Sequence, residues 1–227
     1  MISEARNIDC MEYMKTIPDK FFDLAIVDPP YGIGAPKMEM GGGYSGGSYS
    51  AKNRLNTGSG KLKNRILNKS DCSWDNSTPD AEYFRELFRI SKNQIIWGGN
   101  YFDLPPTRCI ICWDKCQPWE NFSQVEIAWT SFDKPAKLYK QMNGGYNVEK
   151  KIHPTQKPVE LYEYLIDRFA LPGDKIFDSH MGSGSSRIAA YKMGHDFYGC
   201  EINKEYFEMS EKRFKKATQQ QSLFDFA

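Results

Sequence analysis

The sequence predicts an open, doubly wound α/β sheet, because short apolar strands alternate with amphipathic helices along most of the chain. Two βα units carry this prediction. In the first, an apolar strand at 22–27 ends in a loop that begins at Asp28. In the second, four elements follow one another: a strand at 175–177, a glycine-containing turn at 181–185, a helix at 186–193 and a strand at 196–200. Such sheets bind ligands beyond the carboxyl ends of their strands, where both loops would lie.

The segment between these two units predicts further elements of ordinary length. They are a helix at 81–90, strands at 94–97, 108–113 and 124–130, and a helix at 159–169 that Pro172 and Gly173 end. A charged helix is expected at 205–216. The chain has 227 residues, of which 40% are hydrophobic, enough for one packed domain. We assign that domain to residues 1–218 and a tail to 219–227.

Composition excludes several classes of protein. Six cysteines in 227 residues are too few for a secreted disulfide scaffold. The sequence shows neither the pattern of a signal peptide nor an apolar run long enough to span a membrane. We therefore expect a soluble protein of the cytoplasm. The spacing of Cys109, Cys112 and Cys116 suggests a zinc site, but a second pair of ligands at the spacing of a zinc finger is missing. We therefore expect no metal, and we expect these cysteines to be thiols that are buried in the core or partly exposed. A net charge of +1 means that any nucleic-acid surface depends on local clustering of cations.

The tetrapeptide Asp28-Pro29-Pro30-Tyr31 predicts a binding site for a planar amino group. Two prolines in a row make a stiff loop, which presents the Asp28 carboxylate and the Pro29 carbonyl as neighbouring acceptors. Together they can hold both N–H bonds of an exocyclic amine and localise its lone pair. Tyr31 can stack on a base that has left the duplex. A tight proline turn is the alternative, but the apolar strand before it and Tyr31-Gly32 after it favour the binding site.

The sequence DSHMGSGS at 178–185 predicts a loop that binds a cofactor containing ribose, since it follows an apolar strand and precedes a helix. Gly182 and Gly184 let the backbone approach a ligand closely. Glu201 ends the next strand, where its carboxylate can accept hydrogen bonds from both ribose hydroxyls. Arg187 stands where the third glycine of a pyrophosphate loop would fall. S-Adenosylmethionine therefore fits better than a dinucleotide, and an ordinary glycine turn is the alternative.

Together these motifs resemble those of the amino-methylating DNA methyltransferases of the β arrangement, in which the catalytic loop precedes the cofactor loop. The similar segments are DPPYGIG at 28–34, HPTQKPVEL at 153–161, FDSHMGSGS at 177–185 and GCEIN at 199–203. The resemblance implies a mostly parallel, seven-stranded sheet of the S-adenosylmethionine-dependent methyltransferase (Rossmann-like) type with a circularly permuted motif order. It implies direct methyl transfer to N6 of adenine in DNA after base flipping. N4 of cytosine is the alternative, and Asp28 at the first catalytic position favours adenine.

The resemblance also implies roles for individual residues. Catalytic roles fall on Asp28, Pro29, Pro30 and Tyr31. Cofactor contacts fall on Asp9, Cys10, Asp28, Thr155, Gln156, Lys157, Asp178, Ser179, His180, Gly182, Ser183, Gly184, Ser185, Glu201 and Ile202. The permuted order places residues 7–10 at the end of a strand beside the one that ends at Glu201. Asp9 would then contact the cofactor adenine, cap the following helix, or do both. Ser179 and His180 replace the family's usual Pro-Phe, and His180 could still stack on the cofactor.

Two basic stretches are candidates for DNA contacts. Residues 41–70 hold six cations and no acidic residue among several glycines, which predicts a flexible insertion at about 34–70. A short target-recognition segment is expected at about 134–151. The cations expected to contact phosphates are Lys52, Arg54, Lys61, Lys63, Arg65, Lys69, Lys137 and Lys140. A solvated surface is the alternative for both stretches.

The last residues suggest a second partner. Gln220, Leu223 and Phe224 resemble the anchors of the short peptide with which bacterial replication and repair proteins bind the sliding clamp. Packing of the apolar residues on the domain is the alternative. Other functions compatible with parts of the sequence are methylation of RNA or of a protein amide, a non-catalytic DNA-binding module, and a dinucleotide oxidoreductase. The resemblance implies a bacterial or phage host and a place in restriction-modification.

Overall fold

The computed structural model describes residues 1–34, 39–40, 65–66, 75–116, 123–142 and 151–222. The strands are β1 (Ser3–Arg6), β2 (Phe22–Val27), β3 (Glu39–Met40), β4 (Arg65–Ile66), β5 (Ser91–Trp97), β6 (Ile110–Asp114), β7 (Val125–Thr130), β8 (Lys137–Lys140), β9 (Lys175–Asp178) and β10 (Asp196–Cys200). The α-helices are α1 (Cys10–Lys15), α2 (Ala81–Ile90), α3 (Val159–Phe169), α4 (Ser185–Lys192) and α5 (Lys204–Ser222). A 3-10 turn spans Gly99–Tyr101. Among these helices none is long and apolar enough to cross a membrane.

Eight strands form the main sheet, in the order β1-β10-β9-β2-β5-β7-β6-β8. The first five run parallel, β7 is antiparallel to both of its neighbours, and β8 is parallel to β6. Buried residues of α3 and α4 pack on one face of the sheet, and those of α1 and α2 pack on the other. The predicted mostly parallel, doubly wound α/β fold is confirmed.

The sheet has one strand more than the seven expected. The additional strand is β8, which pairs with β6 at the edge of the sheet and lies inside the segment expected for target recognition. Its residues alternate between half-buried and exposed, and Tyr139 packs against Tyr164 of α3 with ring centroids 4.6 Å apart. This period of two is the pattern of a strand with one covered face, which the lysines at its two ends obscured in the sequence.

The permuted order of the chain is visible at the other edge of the sheet. Strand β1 lies parallel to β10, with Ser3 opposite Phe197 and Arg6 opposite Cys200. Beyond these strands the Asn7 amide donates hydrogen bonds to the carbonyls of Glu201 and Ile202, at 2.7 and 3.0 Å. The beginning of the chain therefore supplies the strand that follows Glu201 in space, as the motif order predicted.

Arg187 holds this edge to the helix that follows it. Its guanidinium donates hydrogen bonds to the Ser3 hydroxyl and carbonyl, each at 3.0 Å, and pairs with Glu211 of α5. The same group lies 3.9 Å from the centroid of the Phe214 ring. The side chain that replaces a third glycine is thus a buried structural anchor that connects β1, α4 and α5.

Candidate active site

The carboxyl ends of five parallel strands bring the predicted motifs to one edge of the sheet. Asp28 follows β2, Asp178 ends β9 and Glu201 follows β10. Gly98 follows β5, and Asp9 lies three residues after β1. Since these strands are neighbours, residues that are far apart in the sequence lie along one edge of the sheet.

The Asp28 carboxylate binds two side chains of the protein itself. One oxygen, Oδ1, accepts a hydrogen bond from the Tyr31 hydroxyl at 2.6 Å, and the other, Oδ2, accepts one from Lys157 Nζ at 2.5 Å. Pro29 is buried and Pro30 is half-buried, in keeping with a loop that is held rigidly. The loop therefore presents a carboxylate whose orientation is fixed from both sides.

Three residues outside the motif shape this loop. One carboxylate oxygen of Asp75, which is 2% exposed, accepts the backbone N–H groups of Tyr31 and Gly32 at 2.8 and 2.9 Å. Gly98 has a φ of +70°, and a Cβ built on it would lie 2.2 Å from Cε1 of the Tyr31 ring. The same ring stacks on Tyr101, with centroids 5.0 Å apart. Glycine at position 98 is therefore required both by backbone conformation and by the close approach of Tyr31.

Lys157 is the centre of a buried charge network. Its ammonium lies 2.5 Å from Asp28 and 3.1 Å from Glu126, and its side chain is 3% exposed. Glu126 also pairs with Lys115 at 2.5 Å. Burial would lower the pKa of Lys157, but the two carboxylates outweigh it and raise that pKa. Burial would likewise raise the pKa of Glu126, which the two lysines lower to about 2. Lys157 and Glu126 are therefore both charged at neutral pH.

The glycine loop and Glu201 form the second half of the site. One Glu201 oxygen accepts the Gly182 N–H at 2.9 Å, and the other accepts the Asn203 N–H at 2.8 Å. Asp178 is 1% exposed and accepts hydrogen bonds from the Ser186 hydroxyl and the His180 N–H. Burial raises the pKa of Asp178 to about 7. Each carboxylate is thus oriented by groups of the glycine motif itself.

His180 belongs to a chain of polar contacts on the side of the site near α1. Its Nδ1 lies 2.8 Å from the Ser179 hydroxyl, which in turn lies 2.7 Å from the Tyr83 hydroxyl. Its Nε2 lies 3.9 Å from the Cys10 sulfur. Burial lowers the pKa of His180 to about 4, so the ring is neutral at pH 7. Asp9 accepts hydrogen bonds from the backbone of Met11 and Glu12, and it caps α1 as one reading of the sequence expected.

The HPTQKP segment packs against the glycine loop. The Ser185 hydroxyl donates a hydrogen bond to the Lys157 carbonyl at 2.8 Å. The Gln156 side chain accepts the Ile152 N–H at 3.0 Å, and the Thr155 hydroxyl lies 3.1 Å from His153 Nδ1. Because Lys157 contacts Asp28 with its side chain and Ser185 with its carbonyl, the two loops form one hydrogen-bonded unit.

The expected residues fall into three groups. The structure brings together the residues expected at the catalytic loop and at the cofactor loop, with Ile202 exposed at the rim. Lys137 and Lys140 lie on β8, where Lys140 is 3.6 Å from Asp114. The side chains of Lys52, Arg54, Lys61, Lys63, Arg65 and Lys69 lie outside the described residues, as do Leu223 and Phe224. Within the described part of the chain, no group of three or more metal-binding side chains is present.

Sequence reasoning missed four residues that shape the site: Asp75, Tyr83, Gly98 and Glu126. Gly98 follows the apolar run of β5 directly, and a glycine at that position was a usable signal for close approach to a neighbouring loop. Glu126 reaches the same edge because β7 runs antiparallel to β5, so that its beginning lies beside the carboxyl ends of the other strands.

Cys109 is a buried core residue, whereas Cys116 is exposed.

Comparisons with known proteins point to one family. The sequence model of the family described as DNA methylase (N6_N4_Mtase) matches residues 112–212. The type II methyltransferase M2.DpnII of Streptococcus pneumoniae is 24% identical over 91% of this chain and 87% of its own length.

Solved structures share the fold. The crystal structure of the M1.HpyAVI-SAM complex matches 94% of this chain and 98% of its own chain, with a TM-score of 0.54 and 19% identity. The cytosine-N4-specific PvuII DNA methyltransferase matches 96% of this chain and 91% of its own chain, with a TM-score of 0.59 and 14% identity.

Proposed function

We propose that this chain, a member of the amino-methylating DNA methyltransferases, transfers the methyl group of S-adenosylmethionine to N6 of adenine in DNA. The observation that carries the proposal is the hydrogen-bonded unit formed by the Asp28 loop and the glycine loop, joined through Lys157. It sets an amino-group acceptor beside a cofactor loop at a fixed separation. Direct methyl transfer needs the amino group and the cofactor to be held close together and well aligned, because the rate of the reaction depends on that geometry.

The residues of the glycine loop fit S-adenosylmethionine. Gly182 and Gly184 have positive φ angles, which keeps the backbone of the loop free of side chains at its turns. Each Glu201 oxygen has one backbone donor and keeps a second lone pair for a ribose hydroxyl. Asp9, Cys10 and His180 lie on the side of the loop where we propose the adenine binds. Thr155, Gln156 and Lys157 lie on the other, where we propose the methionine part binds.

The catalytic loop holds the amino group of the target base. Asp28 and the Pro29 carbonyl accept its two N–H bonds, which localises the nitrogen lone pair and stabilises the positive charge that develops on nitrogen. The Tyr31 hydroxyl must leave Asp28 Oδ1 for this to happen, and its ring then stacks on the flipped base. S-Adenosylmethionine supplies the methyl carbon, whose bond to sulfur breaks as its bond to nitrogen forms. S-Adenosylhomocysteine is the leaving group, and the extra proton passes from the methylated nitrogen to water afterwards, without a covalent bond between enzyme and base.

Adenine is the proposed base because the catalytic loop begins with Asp28, which is more usual for enzymes that act on N6 of adenine. The curated relatives are type II methyltransferases, which supports a place in a bacterial or phage restriction-modification system. Transfer to N4 of cytosine is the second candidate, and the fold it shares with the PvuII enzyme keeps it open to test.

The experiment is incubation of the protein with S-adenosylmethionine and unmethylated genomic DNA, followed by digestion to nucleosides and mass spectrometry. N6-methyladenine formed by the wild type and not by Asp28→Ala, with cofactor binding retained, is the expected result. N4-methylcytosine would establish the second candidate instead. If neither base is methylated although the cofactor binds, the DNA substrate is wrong, and RNA and protein amides become the substrates to test.

DNA contacts are proposed for the basic residues of the two segments outside the core. Lys137 and Lys140 lie on the edge strand β8, and the six cations between Lys52 and Lys69 precede it in the chain. Replacing Lys61, Lys63 and Arg65 with alanine should weaken DNA binding and lower the slope of log affinity against log salt by about 3, because each phosphate contact releases about one counterion. Equal affinity at every salt concentration would exclude these contacts.

The sliding clamp is a second proposed partner. Gln220, Leu223 and Phe224 have the spacing of a short anchoring peptide, and Gln220 belongs to the final turn of α5. A protein that ends at Thr218 should lose clamp binding in a pull-down with purified clamp while it still methylates DNA. Clamp affinity equal to that of the full chain would rule out this site.

A further inference from the structure

The ammonium of Lys157 occupies a position that is costly to maintain. Taking a lysine out of water costs several kcal/mol, and opposite charges offset that cost only when they are close and well oriented. Both conditions are met here, since Asp28 and Glu126 lie 2.5 and 3.1 Å away. The rings of Trp97 and Tyr31 add two cation–π contacts, with centroids 5.2 and 5.8 Å from the nitrogen. Lys157 is therefore fixed from several directions at once.

The two oxygens of Asp28 differ in how firmly they are held. Oδ2 bonds to the buried ammonium, which is itself held by Glu126. Oδ1 bonds to a neutral phenol hydroxyl on a half-buried ring. Both bonds have the carboxylate as acceptor and are charge-assisted, but the ammonium adds the attraction of a full, buried opposite charge, whereas the hydroxyl contributes only a dipole. The hydroxyl therefore exchanges more readily for another donor than the ammonium does. One oxygen serves as the anchor and the other can receive an incoming N–H.

We propose that Lys157 is a positioning residue that holds Oδ2 of Asp28 so that Oδ1 faces the amino group of the target base. Its carbonyl accepts the Ser185 hydroxyl at the start of α4, so the same residue sets the distance between that oxygen and the cofactor loop. Glu126 also balances the charge of Lys157, so that Asp28 is not the sole counter-ion of that lysine. Lys115 in turn neutralises Glu126. This role rests on the proposed methyl transfer.

The test compares single-turnover methyl transfer with cofactor affinity in the full chain. Lys157→Met keeps the volume of the side chain and removes its charge. At saturating S-adenosylmethionine its rate of transfer to genomic DNA should fall about 100-fold, as expected for a reacting group displaced by about 1 Å, and this factor should exceed the factor by which the Kd for S-adenosylmethionine rises. Lys92→Met is the matched control, because Lys92 pairs with Asp23 at the opposite end of the sheet and is 56% exposed.

Chemical rescue separates positioning from a purely structural role. In Lys157→Ala, propylammonium can occupy the space of the missing side chain and donate to Asp28, so it should restore part of the rate. Tetramethylammonium at the same ionic strength, which has no N–H to donate, should not. Lys157→Met has no space for either ion and should respond to neither. A Met variant with wild-type rate, or equal responses of the Ala and Met variants to propylammonium, would overturn the proposal.

Glu126→Gln gives a second test should the Lys157 variants fail to fold. It retains the lysine and removes its other carboxylate, so the transfer rate should fall by about tenfold while cofactor affinity is retained. An unchanged rate would contradict the role given to this network. A wild type that methylates no DNA would instead refute the proposed function, so the two failures can be told apart.

Discussion

Replacing Gly98 with alanine is a direct test of how closely the Tyr31 ring is fitted to the sheet. The added methyl carbon would lie 2.2, 2.5 and 2.7 Å from three atoms of that ring. Ordinary van der Waals contact begins at 3.4 Å, so the ring must withdraw by roughly 1 Å. Tyr101 stacks on the ring and Asp28 accepts its hydroxyl, so the displacement carries the catalytic loop with it.

Both activity and stability should respond. A displacement of this size at the reacting centre is expected to lower the transfer rate by about 100-fold. The φ of +70° at Gly98 adds about 1 kcal/mol of backbone strain for any residue with a Cβ. Single-turnover transfer to genomic DNA gives the rate, and urea unfolding gives the free energy. Binding of S-adenosylmethionine should remain close to that of the wild type, because the glycine loop lies on other strands.

The double variant Gly98→Ala, Tyr31→Ala tests whether contact with the Tyr31 ring causes the loss of stability in Gly98→Ala. Removing the ring opens the space for the new methyl group, so Gly98→Ala should cost less stability in this background than in the wild type. The remaining cost is the backbone strain alone. A Gly98→Ala protein with the wild-type transfer rate, or equal costs in the two backgrounds, would refute the packing argument.

Three further predictions follow from individual contacts. Asp178 has a pKa of about 7 in the folded protein against 3.8 as its ordinary value, so its ionisation opposes folding. Stability should therefore fall as pH rises from 4 to 7, and the difference between wild-type and Asp178→Asn unfolding curves should isolate this effect. Glu201→Gln should weaken S-adenosylmethionine binding by about 10-fold in calorimetry, because the amide oxygen can still accept the Gly182 N–H but the amide NH2 can accept neither the Asn203 N–H nor a ribose hydroxyl. Arg187→Met should lower the free energy of unfolding by about 3 kcal/mol, because Glu211 loses its partner in a largely buried pair.

Each of these predictions has a result that contradicts it. Parallel pH curves for wild type and Asp178→Asn would mean that the pKa of this carboxyl is the same in the folded and unfolded protein. Unchanged cofactor affinity in Glu201→Gln would remove Glu201 from the ribose site. For Arg187→Met the control is Arg168→Met, whose side chain is 60% exposed and should change stability little. Equal effects of the two arginine variants would contradict the anchoring role.

The sequence predicted the elements that are periodic and the loops that carry chemistry. Helix α2 was predicted with its observed bounds, because its apolar residues repeat at helical spacing. In the structure Asp80 caps its first turn. The strand β8 was missed because its lysines suggested phosphate contacts rather than a half-covered edge strand.

The site was predictable where one local motif supplied it, and not where distant segments met. Asp75 binds the backbone of Tyr31 and Gly32 from 44 and 43 residues away, in a segment with no periodic pattern. Glu126 reaches Lys157 only because β7 reverses direction in the sheet, which the order of strands along the chain does not state. The motifs gave the chemistry of the two loops, whereas the residues that fix their orientation required the topology.

Strand β1 has one consequence for how the protein acquires its shape. Its hydrogen-bonded partner is β10, and Ser3 lies opposite Phe197, so almost the entire chain must be synthesised before the two can pair. Contacts between such distant segments form slowly, because closing a long loop costs entropy before any contact offsets it. Arg187 and Asn7 stabilise this same late junction. The part of the site beside β1, where we propose that the adenine of the cofactor binds, is therefore expected to form late, after most of the chain has been synthesised.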